Sequence, residues 1–363
     1  MKFVGVDSML RWIATSGPDD VIAGMIQAME GDFMRWTQFE RRPRIASHSR
    51  DGVIELMPTS DGERYAFKYV NGHPSNPARG YQTVSAFGVL ADVHNGYPRM
   101  LAEMTVLTAL RTAAASGLAI KHLARPDSRV LGMIGAGSQA EFQALAAMAV
   151  RPIESIQVFD VDAAACAKMQ RNMASMGMNI SVCSSASEAV SGADIITTCT
   201  ADKRNAQVIH SADITPGVHI NGIGGDCPGK TEFDPTILDM GPVFVEHTAQ
   251  TRIEGEIQAK PEDFPVTELW EVITGTAVGR TSPDQITIFD SVGFAIEDFT
   301  ALNYLDQATE GTDLYEEIDL VAAPADPKDL FGMLAGPTED ARLGVPTASE
   351  LASMMRADFP MPA

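Results

Sequence analysis

Residues 130–142 read VLGMIGAGSQAEF, an apolar run that breaks at Gly135 and Gly137. The run leads into the pattern G-x-G-x-x-A, in which the first glycine permits a tight turn and the second lets the backbone approach a pyrophosphate. Ala140, the small third residue, allows the next helix to lie close to the strand, and the N-terminus of that helix offers N–H groups to phosphates. The stretch predicts a dinucleotide-binding turn, with a glycine-rich turn that binds nothing as the alternative for a lone motif.

The sequence after this turn favours NAD over NADP. The next apolar run, IQVFD, ends at Asp160. A carboxylate at that place can accept hydrogen bonds from both ribose hydroxyls and would repel a 2′-phosphate. Two alternatives stay open. Asp160 could instead belong to a turn or cap the helix predicted over residues 162–176, and Asp162 could take the ribose role.

Two kinds of pattern follow each other along the chain. Residues 43–98 hold short β-rich runs between Asp-Gly, Asn-Gly and Pro turns, and helical periodicity flanks them at 18–38 and 99–123. From residue 130 on, strand and helix patterns alternate. This alternation is typical of a parallel, doubly wound sheet with helices on both faces.

We therefore predict the α/β class with two domains. A doubly wound, Rossmann-type NAD-binding domain is expected over residues 116–300, and an α+β domain over residues 1–115. Residues 301–363 contain one helix and a Pro/Ala-rich end. They are expected to complete the first domain.

Composition limits the classes of function. The chain has 363 residues, enough for two domains, and its net charge of −21 argues against nucleic acid and anionic membranes as partners. It has no apolar run of about 18 residues and no apolar leader, so we expect neither a membrane span nor a signal peptide. Four cysteines without a CxxC pair and seven histidines without ligand spacing predict no disulfide framework and no metal site, and fit a cytoplasmic location.

Charged side chains interrupt apolar elements of the first domain. An ionised group on such an element is costly to bury unless it is paired or bound to a ligand. Strand alternation offers an alternative for Glu55, which could lie on the exposed face opposite Ile54 and Leu56. Taken together, the three cations suit a small carboxylate ligand. The residues concerned are Arg44, Glu55, Lys68 and Arg111.

The loop GIGGDCPGKTE, residues 222–232, follows the HINGI strand pattern. Doubly wound sheets hold ligands at the carboxyl ends of their strands, so Asp226 is expected near the nicotinamide end of the cofactor. An ordinary loop aspartate is the alternative. Cys227 is a weak candidate nucleophile, because no histidine lies near it in the sequence.

Several long stretches together resemble the ornithine cyclodeaminase/mu-crystallin family, most closely its bacterial ornithine cyclodeaminases. The resemblance covers nearly the whole chain to about residue 332 and fades beyond it. It implies a homodimer whose first domain binds substrate and pairs the subunits, and whose second domain binds NAD. The implied reaction converts L-ornithine to L-proline plus ammonia. The stretches are RIASHSRDGVIELMP, YAFKYVNGHPSNP, TALRTAAAS, GAGSQAEFQALA, TADK, GGDCPGKTE, QTRIEGEI and FDSVGFAIEDFT.

The resemblance also implies roles for individual residues. Arg44, Lys68 and Arg111 would hold the substrate carboxylate, and Glu55 would face its amines. Asp226 would bind substrate and act as proton donor and acceptor, and Val292 would line the substrate site. The cofactor would contact Thr83, Arg111, Gly135, Gly137, Ser138, Gln139, Asp160, Thr200, Ile220, Asn221, Gly222, Ile223, Lys230 and Ser291.

Other outcomes on the same fold stay open. They are a lysine cyclodeaminase, a ketimine or pyrroline-2-carboxylate reductase, and an amino-acid dehydrogenase. A lysine substrate differs by one methylene, which contributes only about 1–3 kcal/mol of discrimination. A ligand-binding protein of the crystallin type is the alternative from another class, and the intact set of charged residues argues against it.

Overall fold

The structure, a computed structural model, describes residues 1–201, 206–225 and 227–335. Lys2–Glu316 form one compact unit, and Met1 belongs with the described residues from 317 to 335 to a second. In that second unit, the amino group of Met1 contacts the carboxylate of Glu317 at 3.1 Å. Both sheets described below lie in the first unit.

A mixed sheet occupies the first part of the chain, as the β-rich runs predict. The strands that residues 2–103 contribute to it lie in the order β1-β6-β5-β4-β3-β2, with β1 parallel to β6 and the other neighbours antiparallel. Residues 98–103, partly predicted as helix, form a strand because they pair with β5. The elements are β1 (Lys2–Val4), α1 (Val6–Ser16), α2 (Pro18–Met34), β2 (Ile45–His48), β3 (Val53–Ser60), β4 (Arg64–Gly72), β5 (Val84–Asp92), β6 (Pro98–Glu103) and α3 (Thr105–Leu123).

Alternation along β3 decides the position of Glu55. Ile54 is 41% exposed and Leu56 40% exposed, whereas Glu55 is only 7% exposed. Successive side chains of a strand point to opposite faces, so Glu55 shares the buried face with Met57. The alternative that placed Glu55 on the exposed face is therefore wrong.

The second sheet is entirely parallel, with the order β13-β12-β14-β11-β10-β7-β8-β9. The strand order reverses between β7 and β10, and ligands bind at the carboxyl ends of strands beside such a switch point. The elements are β7 (Val130–Ile134), α4 (Ala140–Val150), β8 (Ser155–Phe159), α5 (Ala163–Met173), β9 (Asn179–Val182), α6 (Ala186–Val190), β10 (Ile195–Thr198), β11 (His219–Gly222), β12 (Val243–Val245), α7 (Thr248–Glu254), β13 (Thr267–Glu268), α8 (Leu269–Ile273) and β14 (Thr287–Asp290).

The chain then returns to the first sheet. Helix α9 (Ala295–Thr309) begins shortly after β14 and packs on α2, α3, β3, β4 and β5. A two-residue strand, β15 (Glu316–Glu317), follows. The predicted boundary at residues 115 and 116 falls inside α3, and the division into domains stays a prediction. Among the described residues, no helix is long and apolar enough to cross a membrane.

Candidate active site

The glycine turn joins β7 to α4. Gly135 has φ +99°, a conformation that side chains disfavour, and a Cβ there would lie 2.8 Å from the carbonyl oxygen of Cys199. A Cβ on Gly137 would meet nothing within 4 Å, so this side of the turn is open. Ala140 is fully buried at the start of α4. Gly135 and Ala140 of the predicted motif thus have a steric reason within the protein, whereas the space beside Gly137 is open to a ligand.

The structure separates the two aspartates after β8. The Oδ1 of Asp162 accepts a hydrogen bond from the Ala164 N–H at 2.9 Å, which caps α5. The Oδ2 of Asp160 accepts from Ala136 N–H at 2.7 Å, and its Oδ1 from Asp162 N–H at 2.8 Å. A carboxylate has about four lone-pair positions, so Asp160 fixes the turn and can still accept from a ligand. The helix-capping alternative therefore belongs to Asp162.

Two buried polar atoms near the carboxyl ends of these strands lack hydrogen-bond partners among the described residues. They are Oε1 of Gln139, at the N-terminus of α4, and Nδ2 of Asn221, near the end of β11. Ser138 beside Gln139 is exposed. Buried polar groups are normally satisfied, so unsatisfied ones beside an open turn fit a polar ligand. This edge of the sheet fits NAD.

Three buried carboxylates tie the loops at this edge together; we call Asp290, Glu256 and Glu232 the carboxylate chain. Asp290, at the end of β14, accepts hydrogen bonds from the N–H groups of Glu256 (2.8 Å) and Ile257 (2.9 Å). Glu256 in turn accepts from the N–H groups of Glu232 (2.7 Å) and Phe233 (3.0 Å). Each carboxylate thereby fixes the backbone that carries the next one.

Glu232 completes the carboxylate chain at β10. Its Oε2 accepts from Thr198 Oγ1 at 2.6 Å and from Gly224 N–H at 2.8 Å. Its Oε1 accepts from the N–H of Thr200 at 2.7 Å and from the hydroxyl of Thr200 at 2.6 Å. Glu232 therefore holds Thr200, a predicted cofactor contact, against the loop that follows β11.

Burial changes the protonation of Glu256 and Asp290. Burial, with repulsion from Asp290 and Glu232, raises the pKa of Glu256 to about 9. Burial also raises the pKa of Asp290 to about 7, although two backbone N–H groups oppose the shift. Glu256 therefore carries a proton at neutral pH.

The second part of the site is a buried cation cluster, by which we mean Arg44, Lys68 and Arg111 with their acidic partners Glu55, Glu254, Glu297 and Asp298. Lys68 Nζ lies 2.7 Å from Asp298 Oδ1. Arg111 contacts Glu297 Oε2 through Nη1 at 2.8 Å and Asp298 Oδ1 through Nε at 3.0 Å. The side chains come from β4, α3 and the first turn of α9.

Arg44 joins this cluster to the end of β14. Its guanidinium contacts Glu55 at 3.2 Å and Glu254 at 3.3 Å. Its Nη2 donates hydrogen bonds to the carbonyl oxygens of Val292 (2.9 Å) and Gly293 (2.8 Å). Arg44 thus connects the cation cluster to the segment that follows β14, a strand of the second, parallel sheet.

A glutamate that follows β12 holds the same segment after β14 in place. Glu246 accepts a hydrogen bond from the hydroxyl of Ser291, and accepts from the N–H groups of Val292 and Gly293, both at 3.2 Å. Gly293 has φ +75°, and a Cβ there would lie 2.6 Å from Nη1 of Arg111. The glycine leaves room for the guanidinium.

Desolvation dominates the electrostatics of the cation cluster. Burial and the nearby Arg111 lower the pKa of Lys68 to about 8, although Asp298 opposes the shift. Burial raises the pKa of Glu297 to about 8 against the attraction of Arg111. The pKa of Arg111 is raised, because its acidic neighbours outweigh the burial that would lower it.

Comparison with known proteins agrees with this geometry. The model of the ornithine cyclodeaminase/mu-crystallin family matches residues 7–313. The ornithine cyclodeaminase of Agrobacterium fabrum is 56% identical over 344 residues, which cover 95% of this chain and 97% of that protein. The chain belongs to the ornithine cyclodeaminase/mu-crystallin family.

Solved structures of the family confirm the predicted fold. One shows how a lysine cyclodeaminase recognises L-lysine, L-ornithine and L-2,4-diaminobutyric acid; it has a TM-score of 0.86 and 30% identity, and covers 91% of this chain and 98% of its own. Another is an archaeal alanine dehydrogenase dimer with bound NAD, with a TM-score of 0.81 and 30% identity, covering 88% of this chain and 99% of its own. Both share the predicted α/β class with its NAD-binding domain.

The other predicted cofactor contacts lie in several different parts of the structure. Ile220 and Gly222 lie in β11, and Ile223 N–H donates to the Thr198 carbonyl at 3.1 Å. Lys230 is buried, and its carbonyl oxygen accepts from Gln258 at 3.0 Å. Thr83 precedes β5, where its carbonyl accepts from His73 rather than from a predicted site residue. Asp226 lies outside the described residues.

Seven buried acids around the site are the residues that the sequence reasoning missed. Glu246, Asp290, Glu297 and Asp298 stand at the end of, or inside, apolar runs, as in PVFVE, TIFD and AIEDF, whereas the other three do not. Buried acids are rare unless paired, so this placement was a usable signal. The missed residues are Glu232, Glu246, Glu254, Glu256, Asp290, Glu297 and Asp298.

Proposed function

We propose that this chain is an ornithine cyclodeaminase that converts L-ornithine to L-proline and ammonia, with NAD as its cofactor. One observation carries the proposal: Arg44, Lys68 and Arg111 converge on residues 292–298, directly after the end of β14. Cations that can read a carboxylate are therefore held at the carboxyl edge of the sheet that carries the dinucleotide turn. The 56% identity to the Agrobacterium fabrum ornithine cyclodeaminase supports the same substrate.

The residues of the glycine turn would hold the cofactor. Gly135, Gly137 and the N-terminus of α4 would receive its pyrophosphate, and Asp160 a ribose. When bound, NAD supplies hydride acceptance at Cα of the substrate and hydride return to the ring imine. Because cofactor is consumed and restored in one cycle, no net NADH is expected. The remaining contacts proposed for it are Thr83, Arg111, Ser138, Gln139, Thr200, Ile220, Asn221, Gly222, Ile223, Lys230 and Ser291.

The cation cluster would orient the substrate. Arg44, Lys68 and Arg111 would hold its carboxylate, so that Cα faces the cofactor, and Val292 would line the site. Holding reacting atoms in place in this manner removes orientational entropy from the barrier. Glu55 lies on the buried face of β3, beside Arg44, where it would face the substrate amines.

The chemistry requires proton transfers at both amines. The α-ammonium must lose a proton before Cα can be oxidised, and the δ-ammonium must lose one before its nitrogen attacks Cα and closes the ring. The ammonia that leaves must regain a proton. We assign these transfers to Asp226, with Glu55 assisting, because a positioned carboxylate can act alternately as base and acid.

We also propose a homodimer, with the first domain pairing the subunits. The outer face of its sheet is apolar: Ile54, Leu56 and Phe87 are each at least 40% exposed, and Tyr69 stacks on Phe87 with ring centroids 5.0 Å apart. An exposed apolar face of this kind suits a self-complementary interface. Sedimentation of the wild type against Phe87→Glu tests it, since a monomeric wild type would contradict the proposal.

A cytoplasmic location completes the proposal. Cys166, Cys183 and Cys199 carry reduced thiols. Thiols persist in reducing compartments. Fractionation of the native host would test this part, and recovery of the protein from an oxidising compartment would oppose it.

The reaction is tested with L-ornithine and a small amount of NAD⁺. We expect L-proline and ammonia in equal amounts, many turnovers for each NAD⁺, and no lasting NADH absorbance. Steady accumulation of NADH would instead identify an amino-acid dehydrogenase, and faster conversion of L-lysine a lysine cyclodeaminase. Tight binding of NAD with no turnover would favour a ligand-binding protein.

A further inference from the structure

We propose that the acidic pair Glu297–Asp298, in the first turn of α9, positions the two cations that bind the substrate carboxylate. The pair would act through Lys68 and Arg111, which it contacts. This inference rests on the proposed function, because it takes the substrate to be an amino acid whose carboxylate those cations hold.

One oxygen atom couples the two cations. Asp298 Oδ1 lies 2.7 Å from Lys68 Nζ and 3.0 Å from Arg111 Nε. The cations come from different elements, β4 and α3, and like charges at this separation repel each other. The shared oxygen opposes that repulsion, so a shift of Asp298 would move both cations together.

The acidic pair also decides which side of Arg111 faces a ligand. Nη1 donates a hydrogen bond to Glu297 at 2.8 Å, and Nε lies 3.0 Å from Asp298 Oδ1, an ion pair without hydrogen-bond geometry. Within the described part of the chain, the ion pairs and hydrogen bonds of Arg111 use these two nitrogens, which leaves Nη2 for a ligand. A guanidinium held on two sides presents its third nitrogen in a fixed direction.

The charge balance of these four residues favours an anion. If both acids were ionised, they would cancel the two cations and leave nothing to attract a carboxylate. Glu297 is fully buried, its Oε1 has no hydrogen-bond partner among the described residues, and burial raises its pKa to about 8. At neutral pH it is largely protonated, so Lys68, Arg111 and Asp298 together carry one net positive charge.

The chain offers a matched control for Asp298. Asp306 lies on the same helix, is also buried, and also contacts a lysine and an arginine, Lys2 at 3.0 Å and Arg99 at 3.3 Å. The variants Asp298→Asn and Asp306→Asn therefore remove comparable buried charges from α9. Only the first would change the position of Lys68 and Arg111.

The test is calorimetric titration of the NADH complex, which cannot oxidise the substrate, with L-ornithine and with 1,4-diaminobutane, which is ornithine without its carboxylate. For Asp298→Asn we expect the Kd of L-ornithine to rise about tenfold or more, since a partner of a buried charge is lost. The Kd of 1,4-diaminobutane should change less than about twofold, and Asp306→Asn should change neither by more than that. Equal weakening of both ligands, or equal effects of the two variants, would overturn the proposal.

A pH profile provides a second readout that a purely structural role would not change. Glu297 faces Arg111 from α3, Lys68 from β4, Glu246 from the segment after β12, and Asp298 beside it. Ionisation of Glu297 would compete with the substrate carboxylate, and Lys68, whose pKa is also about 8, would lose its charge, so the wild-type Kd of L-ornithine should rise between pH 7 and 9 for both reasons. Glu297→Gln should show a smaller rise, and an unchanged rise would contradict this part.

Failure of the proposed function is recognised separately. Binding needs no turnover, so a wild type that binds L-ornithine without producing L-proline refutes the cyclodeaminase and leaves the positioning test valid. A wild type that binds no L-ornithine at all in its NADH complex would overturn both.

Discussion

The glycine turn and the cation cluster differ in how far apart their partners lie in the sequence. Asp160 bonds Ala136 across 24 residues, within one strand–helix–strand unit. Lys68 and Asp298 meet across 230 residues, and Arg111 and Glu297 across 186. The turn is a local steric solution, whereas the cluster exists only when α9 packs on the first sheet. Cofactor binding and substrate binding should therefore respond differently to mutation.

Asp226→Asn is expected to have the largest effect and to separate chemistry from both kinds of binding. An amide cannot take up the substrate proton, so kcat should fall about 10²–10⁴-fold. The Kd of NAD should stay within about twofold, because the change removes no proposed cofactor contact. Rapid-quench measurement of L-proline gives kcat, and fluorescence titration gives the Kd. Near-normal turnover would show that another group transfers the proton.

Lys68→Met tests whether the cation cluster is a unit of folding as well as of binding. Without its partner, Asp298 would be a buried carboxylate with one cation fewer, and the free energy of unfolding should fall by about 3–5 kcal/mol. Urea unfolding measures it. The added substitution Asp298→Asn should restore part of the loss.

A surface pair provides the control for that variant. Lys121 contacts Glu30 at 2.6 Å, but its side chain is 42% exposed. Exposed pairs contribute about 1 kcal/mol or less, so Lys121→Met should cost little. If both lysine variants lost the same stability, burial of the cluster would not be the reason for its effect.

Gly135→Ala tests the local region. Alanine at this position would have to adopt the positive φ of +99°, and its Cβ would lie too close to the carbonyl oxygen of Cys199. Strain of this kind lowers the free energy of unfolding by about 1–3 kcal/mol. The Kd of NAD should rise about tenfold. Gly177→Ala is the matched control, since its φ is +67° but a Cβ there has open space. It should lose some stability and keep its NAD affinity.

This difference in range also explains what could be predicted from sequence. The parallel sheet, the mixed sheet and the glycine turn follow from patterns within about 30 residues, such as GAGSQA and the alternation along β3. Arg44, Lys68 and Arg111 were recognisable as misplaced charges. The acids of AIEDF are equally out of place in an apolar run, but nothing local in that stretch specifies that its carboxylates meet β4 and α3.

The acids that the sequence reasoning missed carry the last prediction, a pH dependence of stability. Glu256, with a pKa of about 9 in place of its ordinary 4.5, holds a proton in the native state that the unfolded chain has lost. Asp290, at about 7, and Glu297, at about 8, act in the same direction. The free energy of unfolding should therefore fall between pH 6.5 and 8, by at most about 1.4 kcal/mol per pH unit for each proton.

Groups of opposite effect titrate mainly outside that window. His219, whose pKa burial lowers to about 3, makes stability rise with pH mainly below 6.5, and Lys68, at about 8, mainly above 8. Urea unfolding of Glu256→Gln should show a shallower fall than the wild type. Glu268→Gln is the control: its pKa is lowered to about 2, so it is ionised in both states throughout the window and its loss should leave the slope unchanged. A wild-type stability that is flat or rising from pH 6.5 to 8 would mean that the carboxylate chain is ionised, and that its backbone N–H donors outweigh its burial.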